Sequence, residues 1–195
     1  MSAGFKYNLT PEPSIEERYD VSTGIRRRGP YKLDTTNLNV GDNLPSFIPV
    51  AADLKYKTCK VVRNVKVVEA YASGDTSLKI KKGSYAYVGM FLGNGTKGTT
   101  VSAINKSNSG YDVLTIADFG VNIAKDAVLF EASAAEGATP KNVANSALYE
   151  STKVEDGINL ITLLSTAGEI EPSKLVVPFS DKDKVNLVGY FQFNE

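Results

Sequence analysis

The sequence predicts a mainly β protein: a small antiparallel β-barrel or sandwich with an extended N-terminal arm and a short C-terminal α+β segment. Three observations carry that expectation. Through the middle of the chain, stretches rich in Val, Ile and Thr recur at intervals of roughly 10–15 residues, separated by Gly/Asn/Ser turns. No helical period intervenes between them, which disfavours βαβ units. Five of the 8 prolines (Pro11, Pro13, Pro30, Pro45 and Pro49) fall in the first 57 residues, where apolar side chains are scattered without a period.

Residues 1–57 therefore read as an arm. Each proline lacks a backbone N–H and restricts the residue before it, so long helices and central strands are disfavoured. Phe5, Leu9, Ile15, Val21, Ile25, Leu33 and Phe47 are too dispersed to bury much surface among themselves. Yet the composition is not that of a polar linker. Such a segment orders by lying on another surface, of the same protein or of a partner. Residues 58–133 read as an antiparallel β domain. Cys59–Tyr71 is valine-rich, and Ser73-Gly74-Asp75-Thr76 is a turn. Leu78 and Ile80 then alternate with Lys79 and Lys81, as in a strand with one solvated face. Further strands are expected over Tyr85–Leu92, Thr99–Ile104, Tyr111–Ile116 and Ala127–Glu131. Residues 134–145 form a small-residue connector. In 146–195, strands are expected over Ala147–Val154 and Ile158–Thr166, around a Glu155-Asp156-Gly157 turn. A short helix follows, with Ser180 as N-cap, Asp181 and Asp183 in its first turn and Gly189 just past its end. Tyr190-Phe191-Gln192-Phe193 closes the chain as a strand.

Composition narrows the chemistry. Lys+Arg and Asp+Glu both number 22, so the chain has none of the basic excess that broad electrostatic binding of nucleic acid requires. Histidine is absent, which removes Ser–His and Cys–His dyads, His-ligated metals and imidazole acid–base catalysis. A single cysteine, Cys59, leaves no disulfide framework and no cysteine-cluster metal site, and its apolar context marks it as a buried, inert thiol. No cofactor, metal or catalytic residue is expected. The first residues lack a signal-peptide core, and no apolar run approaches the ~20 residues of a membrane span, so synthesis in a reducing cytoplasm and no membrane partner are expected.

Several motifs tempt. Gly93-Asn94-Gly95-Thr96-Lys97-Gly98 matches the dinucleotide fingerprint in letters, with Asp118 downstream. That chemistry needs a helix N-terminus behind the glycines, and Thr99-Thr100-Val101 is a β-branched run, so a hairpin loop is expected. Arg26, Arg27 and Arg28, flanked by Tyr19 and Tyr31, form the densest positive cluster and suit an acidic protein surface. With Phe47 these are the expected partner-binding residues. Glu16-Glu17, Glu169/Glu171 and Asp181/Asp183 are carboxylate pairs without an accompanying nucleophile or metal pattern. Tyr71, Tyr85, Tyr87 and Tyr111 read either as an aromatic binding face or as ordinary β packing. The sequons at Asn8, Asn94 and Asn105 read as chance matches.

One resemblance emerges along the β domain. Val67-Val68-Glu69-Ala70-Tyr71-Ala72-Ser73-Gly74-Asp75-Thr76-Ser77-Leu78-Lys79-Ile80-Lys81-Lys82-Gly83, then Lys97-Gly98-Thr99-Thr100-Val101-Ser102-Ala103-Ile104, Tyr111-Asp112-Val113-Leu114-Thr115-Ile116 and Asp126-Ala127-Val128-Leu129-Phe130-Glu131-Ala132 are similar to the β module of tailed-bacteriophage head fibre and capsid decoration proteins. The shared features are the turn leading to Lys-Lys-Gly, the Thr-Thr strand and the late Leu-x-Glu-Ala strand. The resemblance implies a non-enzymatic virion protein on the outer capsid surface, assembled in the bacterial cytoplasm. It also implies a homotrimer that meets the capsid protein through its N-terminal arm. Two other classes fit the residues: a carbohydrate- or surface-binding β module, from the tyrosines, and a carboxylate-dependent hydrolase, from the acidic pairs.

Overall fold

Two curled sheets account for most of the chain, and neither follows the order of the sequence. The structure, a computed structural model, describes residues 17–194. The first part supplies β1 (Asp20–Arg26), β2 (Tyr31–Asp34), β3 (Asn43–Leu44), β4 (Pro49–Asp53) and β5 (Thr58–Val61). The middle supplies β6 (Asn64–Lys66), β7 (Ser77–Lys81), β8 (Phe91–Gly93), β9 (Gly98–Asn105), β10 (Tyr111–Ile116) and β11 (Val128–Glu131). The last part supplies β12 (Ser146–Leu148), β13 (Thr152–Lys153), β14 (Leu160–Ile161), β15 (Leu163–Ile170), the helix α1 (Asp181–Leu187) and β16 (Phe191–Phe193).

The middle sheet runs β6-β11-β8-β9-β10-β7. Its ends meet: Val67 bridges Ile80, and the Val68 N–H donates to the Lys79 carbonyl at 3.0 Å. The strand β9 makes the curl possible. Its start pairs with β8 (Thr99 with Leu92) and its end with β10 (Ile104 with Leu114), with a register shift where Val101 meets Ile116. Inward side chains, among them Val65, Leu78, Ile80, Leu92, Val101 and Leu114, fill the interior as one cluster. The alternation of Leu78 and Ile80 with lysines, legible in the sequence, is the period-2 signature of that wall.

The larger sheet runs β1-β15-β12-β4-β5-β2-β14, with β16 parallel to β15. Here too the ends converge. Only Thr162 separates β14 from β15, and β1 leads into β2 across residues 27–30. The pairing Arg26 with Leu164 continues through the Arg27 N–H to the Leu163 carbonyl (2.7 Å) and on to Tyr31 with Ile161. One long antiparallel ribbon therefore seams the sheet. Successive residues face opposite sides, so Leu148, Ile161 and Leu163 join Tyr31, Leu33, Val50 and Cys59 inside, while Ala147 and Leu164 face outward. The outer cluster is covered by α1, β16 and an aromatic group: Tyr19 stacks on Phe47 at 4.6 Å, and Phe47 meets Phe179 and Phe191 at 5.9 and 5.8 Å.

The mainly β class and the single short C-terminal helix agree with the sequence expectation. Ser180 caps α1 in a reciprocal box with Asp183, and Gly189, at φ +83°, follows it. Residues 20–53 alternate short strands with turns, but the surface they lie on is their own chain: β1, β2 and β4 are built into the sheet with β12, β14 and β15. The seven residues of β1 have no buried face, β3 is only two residues long, and turns interrupt the rest, so no period shows, which is why this segment read as an arm. Its first sixteen positions, with Asn8 and Glu16, lie outside the described residues. Expected strands also shorten. Tyr85–Met90 is a turn region, with the Met90 N–H on the Tyr87 carbonyl and Gly89 at φ +89°. Tyr71 pairs only through an isolated bridge to Ile123.

The Gly93–Gly98 segment is the β8–β9 hairpin, as its β-branched sequel required. Asn94 Oδ1 accepts the N–H groups of Thr96 and Lys97, at 2.9 and 2.8 Å. The glycines have a second duty. The Gly95 N–H donates to the Gly137 carbonyl, and a Cβ on Gly98 would sit 2.5 Å from Gly137 Cα. The connector thus docks on the hairpin by backbone contact that no side chain permits. Gly98→Ala is expected to lower stability by about 1–3 kcal/mol, whereas Gly110→Ala, with only Asn108 Oδ1 at 3.6 Å, stays within about 0.5 kcal/mol. Urea denaturation of the two variants measures both.

Candidate functional site

The six expected partner-binding residues do not form one exposed patch. Tyr31 and Phe47 are each 1% exposed, and Tyr19 is buried in its stack on Phe47. These three rings hold the chain's own core and offer next to no area to a partner. Their flanking of the arginines in sequence says nothing about which face each takes. Arg27 also turns inward, donating from Nε to Ser146 Oγ (2.6 Å) and from Nη2 to the Asn145 carbonyl (2.8 Å). Arg26 is exposed and lies over the Tyr149 ring at 5.1 Å, and Arg28 is exposed. The Arg28 carbonyl and the Tyr31 hydroxyl both accept from Lys57 Nζ, at 3.2 and 3.1 Å. This ties residues 27–30 to the β4–β5 turn, where Leu54 and Tyr56 stand exposed beside Lys55 and Lys57. A basic tip with two exposed apolar side chains results.

Sequence reasoning did not find the polar junction between the sheets. The chain crosses from the larger sheet to the smaller at Arg63–Asn64 and returns after Glu131. Glu131, 3% exposed, accepts from Tyr87 Oη at 2.6 Å and Lys141 Nζ at 2.8 Å, and faces Arg63 Nη1 at 3.5 Å. Arg63, itself buried, donates from Nη2 to the Thr36 carbonyl at 2.6 Å. Asp183, 1% exposed, accepts from the Ser180 hydroxyl (2.6 Å) and N–H (2.9 Å), Asn64 Nδ2 (2.7 Å) and the Ala144 N–H (2.7 Å). The one sequence signal was Glu131 itself, a carboxylate in an apolar strand between Phe130 and Ala132. Hydrogen bonding to Glu131 raises the Lys141 ammonium above its ordinary value of 10.5.

The remaining candidates serve the fold. The Tyr71 hydroxyl accepts from the Phe119 N–H and lies 2.6 Å from the Asp75 carbonyl and 3.1 Å from Asp118 Oδ1. The N–H groups of Gly120 and Gly74 hold the Asp118 carboxyl below the usual range. Tyr111 packs under Lys79 at 5.3 Å. The four tyrosines thus do not make one aromatic face, although Tyr85 and Tyr87 share a cleft of about 440 Å³ with Asn37, Asn39, Asp42 and Asn43. Asp181 is exposed while Asp183 is buried, so that pair does not converge. Burial pushes the Cys59 thiol up to about 12. Among the described residues, no three His, Cys, Asp or Glu side chains cluster as a metal site, and no helix is long and apolar enough to cross a membrane.

A family model described as head fiber protein, of phage, matches residues 1–193 of the chain. No curated protein and no solved structure matches it.

Glu131→Gln leaves Arg63 and Lys141 without their counter-charge. It is expected to cost about 3–5 kcal/mol in urea denaturation, the penalty of a buried pair that loses one partner. The contribution of the raised Lys141 is complete below pH 10.5 and is lost as pH climbs through the folded value, so the wild type loses stability there and the variant loses less. The Cys59 thiol is expected to resist alkylation at pH 8 until denaturant unfolds the chain, as timed labelling followed by mass measurement would show.

Proposed function

This chain belongs to the phage head fibre protein family, and from that premise we propose that it is a non-enzymatic structural component of the outer capsid surface. A head fibre protein is a virion structural protein associated with the phage head. The finer reading is that it assembles in the bacterial cytoplasm as a homotrimer and meets the capsid protein through its N-terminal region, residues 1–57. The family match over 1–193 is the observation that carries the structural role at the phage head. The chemistry is compatible with it. Histidine is absent from the sequence, and Asp183 spends its hydrogen-bonding capacity on the fold.

Such a protein works through contact area. A specific contact buries roughly 800 Å² per partner, and several subunits on a repeating shell add avidity to modest single contacts. Arg26, Arg28, Lys55 and Lys57, with Leu54 and Tyr56 between them, give the N-terminal region a basic, partly apolar surface held firm by the Lys57 hydrogen bonds. An acidic region of the shell protein is the matching partner.

Mixed with undecorated capsids of its own phage, the protein is expected to co-sediment with them, and failure to do so would overturn capsid attachment. The charge reversals Arg26→Glu and Arg28→Glu, at exposed side chains of the N-terminal region, are expected to weaken co-sedimentation by about tenfold or more without changing the far-ultraviolet circular dichroism. Unchanged binding would remove that basic surface from the contact. Light scattering is expected to read three times the chain mass of 21.0 kDa, and a single chain mass would end the trimer reading.

A further inference from the structure

We propose that the cleft between residues 37–43 and 83–88 is a binding site for a neutral saccharide. Of its two walls, one is the β2–β3 loop, which leads from the larger sheet to the β3–β13 pair; the other is the turn region before β8 in the smaller sheet. Its volume, about 440 Å³, lies within the range of small-ligand sites, which favour such junctions.

The lining selects the ligand class. Tyr85 and Tyr87 are half-buried, and both hydroxyls are committed: Tyr85 Oη donates to the Asn43 carbonyl at 2.8 Å, and Tyr87 Oη to Glu131 at 2.6 Å. What Tyr85 offers a ligand is therefore ring surface, while the Tyr87 ring carries the Arg63 guanidinium at 5.2 Å and so presents only its remaining flank; the anchored hydroxyls fix both rings in advance, which lowers the ordering cost of binding. Around them stand the exposed amides of Asn37, Asn39 and Asn43, each able to donate and accept. Sugar hydroxyls also donate and accept, while the C–H face of a sugar ring covers an aromatic ring. Asp42 is held in place by the Asn39 N–H at 2.8 Å and Asn39 Nδ2 at 3.3 Å, so the loop is shaped before a ligand arrives.

Charge decides against the alternatives. The cleft carries one carboxylate, Asp42, and one ammonium, Lys106. A phosphate or carboxylate ligand would meet no cluster of cations, and a cationic ligand no cluster of anions. A ligand that is neutral, rich in hydroxyls and flat on one face satisfies the amides and the rings together.

Saturation-transfer NMR on the full chain tests this with four neutral disaccharides: maltose, cellobiose, lactose and N,N′-diacetylchitobiose. At least one is expected to receive transfer. Its affinity is expected to fall by about tenfold or more in Tyr85→Ala, which removes a ring, and in Val88→Arg, which fills the rim. Val88 is 61% exposed and outside any strand, so the second variant keeps the test valid if the first fails to fold. Absence of transfer to all four, or transfer undiminished in Val88→Arg, would overturn the proposal. Capsid co-sedimentation of both variants reads attachment separately from saccharide binding.

Discussion

The architecture depends on two buried carboxylates where the chain crosses between its sheets. Glu131 gathers Arg63, Tyr87 and Lys141, and Asp183 gathers Asn64, Ala144 and the first turn of α1. Arg63 and Asn64 lie on the outward crossing, and Lys141 and Ala144 on the return. A buried charge is tolerated only when its hydrogen-bonding capacity is met, and its partners must then come to it. Each carboxylate therefore specifies where one sheet stands relative to the other more sharply than apolar contact could. The specificity has a cost, since Arg63 Nε and Asn64 Oδ1, both buried, lack partners among the described residues.

Between these crossings, the two sheets solve the same problem in different ways. An open sheet leaves unpaired edges that invite other chains. The smaller sheet closes by a bridge between Val67 and Ile80, and the larger by running two pairs of strands into one ribbon. The connector 134–138 cannot pair as a strand. It is held instead by backbone contact among Gly93, Gly98 and Gly137, where the absence of side chains lets the segments touch. Few unpaired strand edges are therefore left to invite association with other chains.

Function and fold divide the polar residues between them. Tyr71, Tyr87, Glu131 and Asp183 answer to the interior, and their geometry is explained by the bonds they make. Arg26, Arg28 and the β4–β5 turn answer to the surface. The Asn37, Asn39 and Asn43 side chains of the 37–43 loop are likewise exposed. The rings of Tyr85 and Tyr87 sit at the boundary, with hydroxyls turned inward and flanks turned to a cleft.

Local rules were enough for much of this chain. The strand β10 (Tyr111–Ile116), the alternation in β7, the hairpin at Gly93–Gly98 and the capped helix after Ser180 were legible because each depends on residues within a few positions of one another. The mainly β class followed from the same signals. Tertiary structure decided the rest. That Tyr19, Tyr31 and Phe47 face inward, that residues 20–53 pair with residues 146–170, and that Glu131 meets Arg63 across 68 positions are long-range facts. A strand exposed along nearly its whole length, such as β1, or only two residues long, such as β3, displays no period, and a side chain's partner across the fold leaves no mark on its neighbours in sequence. Secondary structure was written locally here, while burial and pairing were settled only when the first and last parts of the chain closed on each other.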